Sequence, residues 1–425
     1  MLDIDAIRSN PQRVREALRA KGIDRPSLVD TLLEADEDRR AKITELQQAQ
    51  ERQNKLSQEI GALKREGKED EAQKRIEETS RLKEKIQELD DAVEEAKTHY
   101  RDLLLNIPNV PHPSVPVGTS EEDNEVEETV GEKPSFDFDP APHWTLAERH
   151  NLVDFDRGAK VAGSGFPFYT GRGARLQRAL LNFFLDRARN RGYLEMQPPT
   201  FVNPESAEGT GQLPDKDDLM YHIPRDDLFP IPTGEVPMTN YHRDEILDAD
   251  SLPLKYCAYT PCWRREAGSY GADVRGLNRL HEFDKVELVH IVHPDDSYRA
   301  LDSLLRDAES ALEALGLPYR RLLMCTGDMG FTQSKKYDLE VWSAGQEKWL
   351  EVSSISNFEA FQARRMQLRY RPEPEAQPQL VHTLNGSGLA FPRVLAALLE
   401  NNQTADGSIR IPDVLGAYAG FNRIA

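Results

Sequence analysis

Residues 32–105 carry apolar and charged side chains in the rhythm of a long helix. The segment is rich in Glu, Lys, Gln, Arg, Ala and Leu, contains no proline, and has no aromatic residue before Tyr100. Steps of three and four connect two series of seam positions: Leu46, Ala49, Gln53, Leu56, Ile60 and Leu63, then Leu82, Ile86, Leu89, Val93, Ala96, Tyr100 and Leu103. Residues 65–70 break the pattern, with Gly61 just before the break and Gly67 within it, and only a short reversal fits there. The pattern predicts an antiparallel helical hairpin that forms a coiled-coil arm.

The arm could pair in two ways, with a second chain or within its own chain. Charge-rich heptads commonly pair with a second chain, so a dimerisation coiled coil is one of them. The internal turn favours pairing within the chain and a projecting arm. Basic residues near the turn alternate with acids, so a solvated surface explains them as well as RNA binding does: Lys64, Arg65, Lys68, Lys74 and Arg75.

The pattern changes after the arm. Residues 106–116 contain four prolines, and residues 120–132 are strongly acidic with few apolar side chains. Aromatic, glycine and β-branched residues return from His143 onward. We therefore predict an N-terminal domain over residues 1–105, a linker over 106–142 and a second domain over 143–425.

The second domain mixes helical and strand patterns. Apolar residues share one helical face over residues 172–191, and further helices are predicted at 297–315 and 392–401. Four short runs with strand character are joined largely by glycine-bearing turns, which indicates hairpins: 256–265, 279–292, 337–342 and 348–354. The predicted class is α+β, with an antiparallel sheet flanked by helices.

Composition excludes several classes of protein. The 425 residues are 38% hydrophobic and 30% charged, and no stretch is long and apolar enough to be a signal sequence or a membrane span. Three cysteines are too few for a disulfide framework or a four-cysteine zinc site, so we expect a cytoplasmic protein. A net charge of −19 means that any RNA partner must meet a local basic patch.

The candidate chemistry lies between residues 261 and 287. Neither a P-loop nor a strand-linked G-x-G-x-x-G occurs, and the glycine–serine run at 385–389 breaks the frame of a hydrolase nucleophile elbow. If residues 256–265 and 279–292 form a hairpin, Arg264 and Glu266 share one strand face, and Phe283 and Glu287 share another. Guanidinium, carboxylates and an aromatic ring suit an amino acid joined to a nucleotide. A surface ion-pair ladder is the alternative.

The block Arg264-Arg265-Glu266-Ala267-Gly268-Ser269, followed by 281–287, resembles motif 2 of the class II aminoacyl-tRNA synthetases, in their seryl branch. Residues 197–200 and 209–214 resemble the motif 1 region. Residues 385–390, Arg393 and 400–403 resemble motif 3, and 351–354 resemble the metal-binding segment. These short blocks occur in the order of that family, and with the arm the resemblance covers essentially the whole chain.

The resemblance implies a set of ATP-binding residues. Arg264 would bridge the amino-acid carboxylate and the α-phosphate, Glu266 would read the adenine amino group, and Phe283 would stack on adenine. Arg393 would cover the other face near the γ-phosphate, and Glu351 with Ser354 would ligate Mg²⁺. Arg265, Val352 and Ser353 complete the implied set. Because Glu351 and Ser354 are three residues apart, we expect a bulge there if they share a face.

A serine-binding set is implied in the same way. Thr233 and Glu235 would contact the α-amino group, Arg264 the carboxylate, and Glu287 with Ser387 the hydroxyl. Gly234 stands where the family usually has alanine, and the freer backbone that glycine allows puts the fine positioning of Glu235 in question.

The implied activity is ATP-dependent formation of seryl-adenylate and transfer of serine to the 3′ end of serine tRNA, with selenocysteine tRNA as a second candidate substrate. The implied assembly is a homodimer built around the motif 1 region. Two other classes of function are weighed against it. A ligase that loads a carrier protein has no use for so long an arm, and an inactive binding protein is expected to have lost Arg264, Glu351 or Arg393.

Overall fold

The computed structural model describes residues 1–216, 218–266 and 275–425. The chain divides into an N-terminal unit, Leu2–Arg19 with Ile23–Pro108, and a C-terminal unit, Asn109–Ala425 with Met1 and Ala20–Gly22. Ala267-Gly268-Ser269 of the motif 2 block lie outside the described residues.

The N-terminal unit is helical and contains the predicted hairpin. Its helices are α1 (Ile4–Ser9), α2 (Pro11–Ala20), α3 (Leu28–Arg65) and α4 (Glu69–Leu105). Three residues separate the two long helices, and Gly67 makes the reversal with φ of +73°. The prediction of an antiparallel hairpin is confirmed.

The two long helices pack along the predicted seams. Leu46, Ala49 and Leu56 of α3 are buried, as are Val93 and Ala96 of α4. Ion pairs join the exposed edges, among them Arg52 with Glu78 at 2.9 Å and Lys85 with Glu45 at 2.8 Å. The pairing within one chain agrees with the internal-turn interpretation of the arm.

The C-terminal unit is α+β, as predicted. Its helices are α5 (His143–Arg149), α6 (Phe155–Ala162), α7 (Gly171–Asn190), α8 (Pro204–Thr210), α9 (Glu235–Thr239), α10 (Ser297–Leu315), α11 (Phe361–Met366), α12 (Phe391–Asn401) and α13 (Asp413–Ala419). Its strands are β1 (Glu125–Val130), β2 (Val153–Asp154), β3 (Phe168–Tyr169), β4 (Leu194–Met196), β5 (Phe201–Val202), β6 (Phe229–Pro230), β7 (Ile246–Asp248), β8 (Leu254–Trp263), β9 (Glu282–Val292), β10 (Tyr319–Leu323), β11 (Lys335–Ser343), β12 (Lys348–Glu359), β13 (Arg369–Arg371), β14 (Gln379–Leu380), β15 (His382–Ala390), β16 (Ile409–Arg410) and β17 (Arg423–Ile424).

One sheet of eight strands organises this unit, in the order β1-β10-β11-β12-β15-β9-β8-β4. Neighbouring strands are antiparallel except for β4, which pairs with β8 in parallel. Four strands of this sheet, β1, β4, β10 and β15, were not predicted from the sequence. Strand β1 also falls inside the segment 106–142 that we expected to be a linker, so part of that segment belongs to the sheet.

The central strands send alternate side chains into two hydrophobic clusters. Leu288 and Val292 of β9 lie in a large cluster with residues of α7, α10 and α12, whereas Val289 and Ile291 lie in a second cluster on the opposite face. Glu287 points to the same face as Val289, because side chains alternate along a strand. Hydrophobic clusters therefore cover both faces of the sheet next to Glu287. No helix among the described residues is long and apolar enough to cross a membrane.

Candidate active site

A polar cavity of about 430 Å³ opens where the second cluster ends. Residues of strands β9, β11, β12 and β15 line it, together with the first residues of α9 and α12. Of the residues named from the sequence, those lining it are Thr233, Glu235, Arg264, Glu266, Phe283, Glu287, Glu351, Val352, Ser353, Ser354, Ser387 and Arg393. The structure thus brings together residues spread over 160 positions of the chain.

Strand β9 supplies one wall through alternate residues. Phe283, Lys285 and Glu287 all face the cavity. The Lys285 ammonium forms an ion pair with Glu287 and donates a hydrogen bond to the Thr233 hydroxyl at 2.8 Å. Thr233 in turn donates to Glu287 at 2.9 Å. Sequence reasoning missed Lys285, although the two-residue period that relates Phe283 to Glu287 also contains it.

The floor of the cavity holds a buried carboxylate. Glu235 begins α9, is 6% exposed, and accepts a hydrogen bond from Gln362 at 2.6 Å. Burial, followed by the nearby charge of Glu287, raises the pKa of Glu235 to about 7. Opposite Glu287, its register partner Ser387 on β15 completes this end of the cavity.

Gly234 provides space rather than backbone freedom. Its φ of −62° and ψ of −18° suit any residue. A Cβ at this position would lie 3.1 Å from both the Glu287 Cβ and the Thr260 Oγ1. The conformation at residue 234 therefore does not require glycine, and its small size allows α9 to approach β8 and β9 closely.

Arg264 and Glu266 lie beyond the end of their strand. Strand β8 ends at Trp263, so the prediction that both share a strand face is wrong, and Glu266 adopts φ of +50°. The Arg264 Nε donates to the Pro232 carbonyl at 3.2 Å, and its guanidinium lies 5.2 Å from the centre of the Phe283 ring. Both residues nevertheless line the cavity.

The neighbours of Arg264 have different surroundings. The Glu266 carboxylate forms an ion pair with Arg279, a cavity residue that the sequence analysis did not name. Arg265 does not line the cavity, since its Nε pairs with Asp218 at 3.2 Å. The structure therefore places Arg265 outside the group of residues that face the pocket.

A bulge in β12 brings Glu351 and Ser354 to the opposite wall. Against β11, Ser353 pairs with Leu339 and Glu351 pairs with Glu340, so Val352 is the extra residue. The Ser354 hydroxyl donates to the Glu351 carboxylate at 3.0 Å. The bulge expected from the spacing is confirmed, and Val352 sends its side chain into the large hydrophobic cluster.

Arg393 closes the cavity from the first turn of α12. Its Nε donates to the Asn278 carbonyl at 2.9 Å, and its Nη1 donates to the Glu351 carbonyl at 2.8 Å. The same nitrogen lies 3.7 Å from the Glu351 carboxylate. The loss of water around Glu351 opposes its ionisation, but the charges of Arg393 and Lys336 outweigh this and hold its pKa below the usual range.

The wall formed by Glu351 and Ser354 suits a hard cation whose remaining ligands are the phosphate oxygens of a substrate. Glu351 and Ser354 offer two oxygen atoms, and the buried Asp338 on β11 has one carboxylate oxygen, Oδ1, without a hydrogen-bond partner in the structure described. No group of three or more His, Cys, Asp or Glu residues in the described part of the chain forms a complete metal site. Mg²⁺ is typically held by one or two carboxylates together with substrate phosphates, so the donors fit it.

Comparisons with known proteins agree with this geometry. The family model of the seryl-tRNA synthetase N-terminal domain matches residues 1–111, and that of the class II tRNA synthetase core domain (G, H, P, S and T) matches residues 221–402. A serine–tRNA ligase of Salinibacter ruber is 75% identical over 424 residues, covering 100% of this chain and 99% of the relative.

The chain belongs to the seryl-tRNA synthetase family. Two solved members of the family have the same fold. The Pyrococcus horikoshii seryl-tRNA synthetase complexed with ATP has a TM-score of 0.92 and 36% identity, covering 100% of this chain and 99% of that one. The cytoplasmic serine–tRNA ligase of Naegleria fowleri in complex with AMP has a TM-score of 0.86 and 27% identity, covering 100% and 98%. The class II fold implied by the motifs is confirmed.

Proposed function

We propose that this protein condenses L-serine with ATP to seryl-adenylate and then transfers the seryl group to the 3′ end of serine tRNA. One observation carries the proposal: a buried pocket of charged and polar side chains adjoins a wall that suits ATP. Thr233, Glu235, Lys285 and Glu287 form the pocket, and Arg264 lines the same cavity beside Phe283. No covalent intermediate with the enzyme is required.

Serine recognition follows from the polar groups of the pocket. Glu235 and Thr233 accept hydrogen bonds from the α-ammonium group, and Glu287 with Ser387 surrounds the hydroxyl. A buried acceptor left without its donor costs free energy, so a substrate that lacks the hydroxyl is rejected by about 10⁴-fold or more. Lys285 fixes the Glu287 carboxylate before serine arrives, because the two side chains form an ion pair.

The activation step then requires that the serine carboxylate and the α-phosphate are aligned and that the negative charge of the phosphates is neutralised. Arg264 holds the serine carboxylate in line with the α-phosphate, and Arg393 neutralises the outer phosphates. Phe283 stacks on adenine and Glu266 accepts from its amino group, for which it exchanges part of its pairing with Arg279. When bound, Mg²⁺ would be held by Glu351 and Ser354 and would neutralise phosphate charge.

The arm and the assembly complete the proposal. The hairpin of α3 and α4 recognises the sugar–phosphate backbone and the shape of the tRNA. A local set of basic residues is enough for this, although the whole protein has a net charge of −19. We also propose a homodimer. The edge strand β4 carries Leu194, which is 62% exposed and lies just before the motif 1 region at residues 197–200, in agreement with pairing there.

Aminoacylation with labelled serine tests the proposal directly. We expect the protein to charge serine tRNA in the presence of ATP and Mg²⁺, and to leave an alanine tRNA uncharged with serine. Formation of seryl-adenylate without transfer to any serine tRNA would contradict the second step, and the carrier-protein alternative would then be the one to test.

Serine binding should weaken as the pH falls below about 7. The pKa of Glu235 is raised to about 7 by burial and by the charge of Glu287, and the serine ammonium group favours the ionised carboxylate, so binding below this pH must release a proton. The affinity should fall by up to about tenfold per pH unit between 7 and 5.5. Calorimetry in buffers of different ionisation enthalpy measures the released proton.

The matched variant is Glu235→Gln, which binds serine more weakly and has no proton to release. Its affinity should be flat over the same pH range. A wild-type affinity that does not change between pH 7 and 5.5 would mean that Glu235 does not face the ammonium group.

A further inference from the structure

A buried polar cluster links α5 to α12 behind the ATP-binding wall. His143 and Glu400 are both 0% exposed. The His143 Nδ1 and its backbone nitrogen each lie 2.8 Å from one Glu400 oxygen, Oε1. The other oxygen accepts from the Ser343 hydroxyl and from the Gly345 nitrogen, the latter at 2.9 Å. Glu400 is thus satisfied at both oxygens, and neither residue lines the cavity.

The second nitrogen of His143 faces a segment that does line the cavity. The Leu277 nitrogen donates to the His143 Nε2 at 2.8 Å. Since Nε2 accepts here, the imidazole is neutral and carries its proton on Nδ1, where Glu400 accepts it. A Cβ on Gly276 would lie 2.3 Å from Nε2, so the chain approaches His143 more closely than any side chain would permit.

Asn278, the residue after Leu277, forms a hydrogen bond with Arg393. The Asn278 carbonyl accepts from the Arg393 Nε at 2.9 Å, and the Asn278 side chain donates to Gln346 at 2.8 Å. Arg393 and Glu400 are seven residues apart on α12, so they lie on one face of the helix. That face is therefore tied to residues 277–278 twice, directly through Arg393 and through His143 by way of Glu400.

We propose that His143 and Glu400 are positioning residues for the activation step: they fix the Leu277–Asn278 backbone so that the Asn278 carbonyl directs the Arg393 guanidinium toward the ATP phosphates. The inference rests on the proposed function, because it concerns the arginine that acts on ATP. The alternative is that the pair only stabilises the fold, in which case its loss would affect ATP and serine alike.

Two substitutions of His143 separate its two hydrogen bonds. In His143→Asn the amide nitrogen takes the place of Nδ1 and can still donate to Glu400, but no acceptor remains for Leu277. In His143→Gln the longer side chain can present its oxygen near the position of Nε2, and the donor to Glu400 is lost. His150→Asn, just after the last residue of the same helix, is the matched control, since the His150 side chain contacts only the Gly407 carbonyl among the described hydrogen bonds.

The expected results differ between the variants. For His143→Asn, kcat/KM for ATP in serine-dependent pyrophosphate exchange should fall about tenfold, while KM for serine stays within about twofold. Hydrogen exchange of the amides at residues 275–280 should become faster, since the Leu277 N–H loses its acceptor. His143→Gln should recover most of the ATP effect although its Tm is lower, and His150→Asn should match the wild type.

Two results would overturn the inference. One is a folded His143→Asn protein with wild-type kinetics for ATP and unchanged exchange at residues 275–280. The other is a parallel loss for ATP and serine in both His143 variants that follows their Tm. Failure of the proposed function gives a different result, because wild-type protein would then show no serine-dependent exchange, whereas the amide exchange would still report whether His143 holds Leu277.

Discussion

Replacing Arg393 by alanine should lower the rate of adenylate formation by at least about 10²-fold, comparable with the removal of one preorganised charge-stabilising donor. The guanidinium is fixed before ATP binds by the Asn278 and Glu351 carbonyls, so its contribution requires no reorganisation during the reaction. Pyrophosphate exchange measures the loss, and circular dichroism and the Tm check that the variant is folded.

Arg299→Ala is the matched control for this substitution. Arg299 is 81% exposed and pairs only with Asp296 among the described ion pairs, so its loss should leave exchange unchanged. Near-normal exchange in a folded Arg393→Ala protein would mean that Arg393 is not a catalytic residue. Its contacts with Asn278 and Glu351 would then have only a structural role.

Shortening the arm should abolish efficient tRNA charging and spare serine activation. The change replaces residues 46–84 with a short Gly-Ser turn at the level of the Glu45–Lys85 ion pair, where α3 and α4 already lie side by side. All the proposed catalytic residues belong to the C-terminal unit, so exchange should stay within about twofold. Aminoacylation should collapse because the tRNA binds weakly, and the remaining binding should depend less on salt, by about one unit of slope for each lost phosphate contact.

A charge-reversal variant shows whether the lost contacts are electrostatic. Lys64, Arg65 and Lys74 near the turn are exposed and form no ion pair among those described, so changing them to glutamate leaves the hairpin paired. This variant should weaken charging in the same direction as the shortened arm. Charging that survives the shortening with unchanged tRNA affinity would favour the dimerisation coiled coil instead.

The periodic parts of the fold could be predicted from the sequence. The steps of three and four along α3 and α4 identify the residues of each helix that face the other helix. A short turn containing Gly67 then leaves only one way to pair the two helices. The spacing of Glu351 and Ser354 predicted a bulge, because three residues cannot share a face of a regular strand. In both cases the information is local, within one or two elements.

The missed elements depend on partners far away in the chain. Strand β15 is rich in glycine and serine and has little intrinsic strand preference, so its neighbours β9 and β12 determine its conformation. Strand β1 is acidic, and its pairing with β10 is accompanied by ion pairs of Arg321 with Glu127 and Glu128, both at 3.1 Å. An acidic stretch viewed alone therefore resembles a linker.

The site was predicted less well where strands end. Alternation placed Phe283 and Glu287 correctly on one face, but β8 ends before Arg264, and the contacts beyond that point are set by Pro232 and Arg279. The contact between His143 and Leu277 joins residues 134 positions apart and has no sequence period at all. The residues that we propose as positioning residues were therefore the hardest to predict.

ATP–pyrophosphate exchange with each of the twenty amino acids tests the central claim, that the cavity is built for serine and ATP. The pocket around Glu235, Lys285 and Glu287 predicts strong exchange with serine, exchange with alanine lower by about 10⁴-fold, and weak exchange with threonine, whose extra methyl group the pocket excludes by shape. Glu287→Gln in the same assay should weaken the serine signal. Exchange that is equally strong with alanine, or absent with serine while another amino acid supports it, would contradict the account.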